Sequence, residues 1–281
     1  MDAVSEIDSG ERFGFGKNWS NFLKVLDEAR IEQAEKSLRT MLEVETLKGL
    51  SLLDIGSGSG LFSLAARRLG ATVHSFDFDP NSVACAIELK RRYFPNCEEW
   101  KIEQGSALDT DYLDALPEFD IVYSWGVLHH TGSMWDALQN ASLKVKDNGG
   151  KLFISIYNDQ GLFSRYWLIV KKIYNRLPNF LRNIFAFFVM FPREVASFMA
   201  YVLRGNPSGY FRSWTQYKKQ RGMSRWHDII DWVGGLPFEV AKPEQIFDFY
   251  YKKGFSLERL STCAGGLGCN EYVFFKNSHD K

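Results

Sequence analysis

The apolar positions change their period along the chain, and each change marks an element. From Asn21 to Leu42 they recur at helical spacing, with Leu23, Val25, Leu26, Ile31, Ala34, Leu38 and Leu42 roughly on one side. The run in "GLSLLDIG" then lacks polar alternation, as expected of a strand buried on both faces. "LFSLAARRLG" returns to helical spacing and stops at Gly70, a suitable C-terminal cap. "ATVHSFDFD" predicts a second strand. "DPNSVACAIELKRRYF" predicts a second helix, capped by Asp79 and opened by Pro80. "WKIEQG", "FDIVYSWG" and "GGKLFISIYN" predict strands three to five, with a helix from about Trp135 to Val145 before the fifth.

Strands that alternate with helices in this way imply a parallel sheet covered on both faces. The alternation stops after Asn158. Residues 159–238 show no clear strand signal and are rich in aromatics, among them Phe163, Tyr166, Trp167, Phe187, Phe188 and Phe191. A helix is expected again from about Lys242, followed by strands in "FSLERLSTC" and "NEYVFFK". The expected fold class is α/β, a doubly wound, Rossmann-like, mostly parallel seven-stranded sheet with a helical insertion after strand five. The expected organisation is an N-terminal helical segment 1–45, a core formed by 46–158 and 239–281, and a basic, aromatic-rich helical lid at 159–238.

Composition changes this picture little. The chain has 281 residues, 45% hydrophobic and 24% charged, with zero formal net charge, so no global attraction to nucleic acid or membrane follows. The four cysteines, Cys85, Cys97, Cys263 and Cys269, form no C-x-x-C pair and have no histidines at zinc spacing. They read as reduced thiols of a cytoplasmic protein, with no metal expected. The acidic "MDAVSEIDSG" lacks the apolar core of a signal peptide. The most apolar stretch, "NIFAFFVMFP", is expected to end at Pro192, too short to span a bilayer, which takes about 20 apolar residues.

The chemistry starts with "DIGSGSG". No lysine follows, so it is not a triphosphate loop, and it fits G-x-G-x-x-G poorly. Its glycines allow a tight turn and a close approach of ligand to backbone at the carboxyl end of the first strand. Asp77 ends the second strand, 17 residues after Gly60, where a carboxylate can accept a ribose diol. "EQGSALD" follows the third strand, and "FDIVYSWGVLHHTG" carries Ser124 and Trp125 at the end of the fourth.

Asp54, Gly56, Gly58 and Gly60, with Asp77 and the fourth- and fifth-strand segments in the same order, resemble the class I S-adenosylmethionine-dependent methyltransferases. The resemblance covers about 110 residues plus the terminal helix and strands. It implies S-adenosylmethionine as cofactor, held by Asp54, Gly56, Ser57, Gly58, Gly60, Asp77 and Phe78. It implies Ser106 and Ala107 at the adenine, and Ser124 and Trp125 beside the sulfonium. The family usually has an acid where this chain has Ser106, a departure that bears on the adenine contacts. His129 and His130 are expected to open the next helix in a structural role.

The implied reaction is methyl transfer by in-line displacement, with proximity and alignment as the protein's main contribution. The acceptor is expected to sit under the insertion. From Gln160 to Trp226 there are twelve Lys and Arg and one acid, Glu194, which is a net +11. Such concentration points to an anionic partner. The readings kept open are a small-molecule acceptor that is phosphate-bearing or carrier-bound, a peripheral contact with an anionic membrane, and a solvated face paired within the fold. No nucleic-acid partner is expected, and oligomeric state is left open. His227, next to Asp228, and Tyr157, at the end of strand five, are the candidate catalytic bases. "FGFGKNW", Phe13 to Trp19, is a candidate cover for the donor. Two alternatives stand beside transfer: a lyase or cyclase releasing methylthioadenosine and a cyclic amino acid, and a non-catalytic binder of the cofactor or of an anionic surface.

Overall fold

The structure is a computed structural model that describes residues 5–6, 9, 12–14, 23, 26–221 and 225–277. Seven strands form one sheet: β1 (Ser51–Ile55), β2 (Thr72–Asp77), β3 (Trp100–Gln104), β4 (Ile121–Trp125), β5 (Lys151–Tyr157), β6 (Phe255–Ser261) and β7 (Cys269–Lys276). Their order is β3-β2-β1-β4-β5-β7-β6. Strands β1 to β5 run parallel, while β7 pairs antiparallel with both β5 and β6. The expected mostly parallel α/β sheet is therefore observed, with its antiparallel part confined to β7.

Leu52 and Leu53 show why β1 has no polar alternation. They point to opposite faces, each with its own core. One face is covered by α1 (Glu28–Leu42), α2 (Leu61–Arg68) and α3 (Pro80–Tyr93), which bury Ile31, Leu38, Leu64 and Leu89. The other is covered by α5 (Met134–Leu143) and α10 (Pro243–Tyr251), which bury Leu138, Ile246 and Tyr250. A short α4 (Thr110–Asp114) lies between β3 and β4. The first helix is shorter than its periodicity predicts. Asp27 caps it by accepting from the Arg30 N–H at 3.0 Å, so the helix starts at Glu28 rather than near Asn21.

The chain divides into two compact units, Phe15–Gly161 with Pro237–Lys281, and Leu162–Leu236 with the described part of Met1–Gly14. The first holds the sheet. The second is helical among its described residues: α6 (Leu162–Arg176), α7 (Asn179–Leu203), α8 (Pro207–Arg221) and α9 (Arg225–Gly234). Within it, Trp167 packs edge-on against Trp232 at 5.3 Å, and the buried Lys171 donates to the Trp232 carbonyl.

Helix α7 corrects one expectation. The apolar stretch does not end at Pro192, which lies inside a helix of 25 residues, about 37 Å long at 1.5 Å per residue. Pro192 is exposed, so solvent can serve the carbonyl that the ring deprives of its partner. By length and composition alone this helix could cross a membrane, and only 11% of its most apolar window is buried.

Candidate functional site

The parallel strands bring their carboxyl ends to one edge of the sheet, where open α/β sheets bind ligands. At the end of β1 the Gly56 and Ser57 N–H groups donate to the Phe76 carbonyl at 2.9 and 3.0 Å, which ties the loop to β2. A Cβ on Gly56, at φ +75°, would lie 2.3 Å from Val127 Cγ1, and one on Gly60 would lie 2.9 Å from Ala86 Cα. Protein neighbours alone are therefore enough to require glycine at these two positions. The Gly58 N–H donates to Asp77 Oδ2 at 2.8 Å, which joins loop and acid directly. The Ser57 hydroxyl of the same loop is buried with no hydrogen-bond partner among the described residues.

Two carboxyls lie behind this loop. Asp54 is 2% exposed and accepts from the Ser63 hydroxyl at 2.5 Å, so it ties the end of β1 to α2. Burial pushes its pKa up to about 7; the Ser63 bond opposes the rise and the charge of Asp77 adds to it. Asp77 is pushed up to about 6, again mainly by burial, against the bonds it accepts from the Asp79 and Gly58 N–H groups. Oδ1 accepts from Asp79 at 2.9 Å and Oδ2 from Gly58, the Ser82 side chain is a third partner, and part of the carboxylate's capacity of about four acceptor sites remains. Asp79 caps α3 by accepting from the Asn81 N–H at 2.9 Å.

Further along the edge, Trp125 is 44% exposed, and its Nε1–H donates to Glu271 Oε1 at 2.7 Å. Glu271 stands opposite Ser155 in the β5–β7 pairing. Tyr157 packs against the His129 ring at 4.0 Å, the His130 ring at 5.4 Å and Phe238 at 5.5 Å. His129 is buried in a 3-10 turn, Leu128–His130, rather than in the following helix. The Tyr157 N–H approaches His129 Nδ1 at 3.4 Å. His130 Nδ1 bonds the Pro237 carbonyl at 2.5 Å, which makes Nδ1 the donor.

The structure does not bring every expected residue to this edge through its side chain. The Ser124 hydroxyl is fully buried and donates to the Ile55 carbonyl at 2.9 Å, so it is committed inside the sheet. Ser106 Oγ accepts from the Leu108 N–H at 3.1 Å, and the Ala107 carbonyl accepts from Asn140 at 2.9 Å. The Phe78 carbonyl accepts from Gln104 at 3.2 Å. His227 belongs to α9, but its side chain lies outside the described residues, as do most of Phe13–Trp19. Sequence reasoning passed over two contacts. The Trp125–Glu271 bond spans 146 positions, and no spacing announces it. The tautomer of His130 depends on Pro237, 107 positions away, although the adjacent histidines at the end of a strand were a usable signal.

Residues 53–152 match the family described as a methyltransferase domain. A tRNA U34 carboxymethyltransferase of Pseudomonas syringae pv. tomato is 38% identical over 111 residues, which are 38% of this chain and 32% of that protein. A ubiquinone biosynthesis O-methyltransferase of Brucella ovis is 31% identical over 121 residues, 40% of this chain and 43% of that protein. The match thus spans well under half the length of these curated relatives. Among solved structures, magnesium protoporphyrin IX methyltransferase from Synechocystis PCC 6803 with bound SAH has a TM-score of 0.55 at 13% identity, covering 98% of this chain and 100% of that one. An O-methyltransferase family protein from Burkholderia thailandensis has a TM-score of 0.51 at 11% identity, covering 90% of this chain and 59% of that one. At such identity the likeness is one of fold.

Proposed function

Residues 53–152 match a methyltransferase domain, and from this premise we propose that the chain is a class I S-adenosylmethionine-dependent enzyme that transfers a methyl group to a small-molecule or carrier-linked acceptor that bears negative charge. The observation that carries the donor half is the Gly58–Asp77 bond beside the orphaned, buried Ser57 hydroxyl. A glycine turn tied to a carboxylate that retains acceptor capacity suits a ribose diol, and an unpartnered buried hydroxyl suits the polar amino-acid tail of S-adenosylmethionine. When bound, this cofactor supplies a methyl group already activated by its sulfonium charge.

The residues have separate tasks. Asp77 accepts the ribose hydroxyls, and Gly58 and Ser57 line the tail. Asp54 and Ser63 hold the loop in place, and Ser106 and Ala107 serve the adenine through backbone and hydroxyl. The loop mainly contributes position, because a fixed donor and acceptor avoid the entropy of encounter. Where the acceptor has a proton to lose, Tyr157 at the end of β5 and His227 of α9 are the candidate bases. The acceptor's negative charge is inferred from the twelve cations and single acid between 160 and 226. A relative named for tRNA matches 38% of this chain, so a nucleic-acid acceptor stays among the outcomes of the test below.

The test is to incubate the protein with methyl-labelled S-adenosylmethionine and a cell extract, then separate the products. S-adenosylhomocysteine with label in a small-molecule or carrier fraction is expected. Methylthioadenosine would replace transfer with lyase chemistry. Tight binding with neither product would leave a binder, and label in RNA would move the acceptor to nucleic acid.

A further inference from the structure

The helical unit exposes what a soluble surface normally hides. On α7, Phe180, Ile184, Phe188, Phe191, Val195 and Met199 recur at intervals of four, four, three, four and four, forming one stripe. All six are exposed, Phe180 to 75% and Phe188 to 67%. On α6, Leu162, Tyr166, Ile169 and Ile173 form a second exposed stripe, with Leu162 at 79%. Along the edge of that stripe run Arg165, Lys172 and Arg176, spaced seven and four apart and also exposed. The opposite sides of both helices are covered, α6 through Trp167 and Tyr174, α7 through Ala186 and Met190. Contiguous exposed apolar faces of this size mark an interaction site.

We propose that α6 and α7 lie in the plane of an anionic membrane surface, with their apolar stripes among the acyl chains and the α6 cations at the headgroups. Charge selects this occupant. The segment 160–226 carries +11, so a second copy placed on it would bring +11 against +11. A neutral apolar partner would leave the cation row without a counterpart. Phe187 and Phe191 also line a cavity of about 340 Å³ between α7, α8 and α9, together with Trp226, Ile229 and the ion-paired Glu194.

The placement is in-plane rather than spanning. Near the middle of α7, Glu194 pairs with Arg225 of α9 at 2.9 Å and accepts from the Tyr210 hydroxyl of α8 at 2.9 Å. Helix α7 is thereby fastened to its neighbours by a charged group halfway along, a position that would sit at the bilayer centre if it crossed. The inference does not rest on methyl transfer, and its test needs no activity.

The full-length protein is sedimented with vesicles of phosphatidylcholine alone and of phosphatidylcholine with about 30% phosphatidylglycerol, an anionic fraction sufficient to attract a basic surface. Binding to the anionic vesicles alone, weakened by salt at about 0.5 M, is expected. The triple variant Arg165→Gln, Lys172→Gln, Arg176→Gln should lower the partition coefficient about 100-fold, from roughly five-fold per charge at such a surface. Phe188→Ser with Phe191→Ser should lower it at least 10-fold with unchanged thermal unfolding. No binding to either vesicle, or equal binding by the parent and both variants, would overturn the proposal. So would a concentration-dependent dimer abolished by the phenylalanine changes, which would give the face to a second copy. Retention in cell membranes against both salt and carbonate, with release only by detergent, would replace in-plane contact with a span.

Discussion

Leu52, Leu53 and Ile55 of β1 and Phe187, Phe188 and Phe191 of α7 read alike as apolar runs. In the fold they have opposite fates. The first three are at most 1% exposed and the last three at least 50%. Periodicity identifies an element and its apolar side, but not what covers that side. In the sheet unit the covering is intramolecular, because both faces of β1 meet helices of the same unit. In the helical unit the stripes of α6 and α7 have no cover among the described residues. The donor site belongs to the first kind of region, where each residue is held by several others. Perturbations should therefore be severe and specific there, and mild in the stripes.

The largest effect should come from Gly56→Ala. The new Cβ would lie 2.3 Å from Val127 Cγ1 at a φ of +75°, so it combines overpacking with a strained backbone. Each contributes about 1–3 kcal/mol. Chemical denaturation should show a loss of about 2–5 kcal/mol, and calorimetry should show cofactor binding reduced at least in proportion. Adding Val127→Ala should return the packing part and leave the backbone part. If the single variant is neutral, the loop is held less firmly than its contacts imply.

Asp77→Asn comes next. The amide keeps the shape but loses the charge-assisted bonds, worth about 1.5–3 kcal/mol, so cofactor affinity should fall about 10- to 100-fold with the fold intact. Asp77 titrates at about 6 in the free protein, and its ionised form is the one that accepts hydroxyls. Affinity should therefore rise with pH through about 6, and be about tenfold weaker at pH 5 than at pH 7.5. Binding near pH 6 should release protons. A flat profile in the parent, or the same profile in the asparagine variant, would remove Asp77 from the diol site.

These residues also mark how far the sequence was legible. The strands themselves, the glycine loop and the acid ending β2 could be read because each is a local pattern: an apolar run, a turn, an acid at a strand end. The reasons behind the glycines could not, since Val127 and Ala86 come from distant segments and only the folded sheet brings them near. Ser124 misled for a related reason. Its place at the end of β4 suggested a ligand contact, but its hydroxyl bonds the neighbouring strand. Pro192 looked like a stop because proline usually is one, yet an exposed helix face tolerates it.

Ser63→Ala should have a smaller effect, and one whose size depends on pH. Ser63 donates to Asp54, whose folded pKa of about 7 lies above its unfolded value of 3.8. A raised acid pKa means that the folded state favours the protonated form. The contribution of Asp54 is therefore fully present below about pH 4 and lost as pH rises through 7. The serine hydroxyl opposes the rise in pKa by stabilising the ionised carboxylate. Its removal should cost about 1–2 kcal/mol at pH 8 and less at pH 5, where the carboxyl is protonated. Denaturation curves at the two pH values check the difference. A larger cost at the acid end would reverse the assigned roles.

The smallest effect should come from the stripe. Phe188 is 67% exposed, so Phe188→Ser removes little contact with the rest of the protein. Surface changes of this kind usually alter stability by less than about 0.5 kcal/mol, and the unfolding midpoint of Phe188→Ser should stay within a degree or two. Cofactor affinity should not move, because every donor-site residue assigned from the sheet edge lies in the other unit. Solubility should improve, since the change interrupts a contiguous apolar face. A stability loss of about 2 kcal/mol or more would mean that Phe188 is covered by this protein's own chain in solution, and the two regions would then no longer differ in kind. A neutral result confirms the difference at the level of a single side chain, because an apolar residue that contributes nothing to folding needs some other reason to be there.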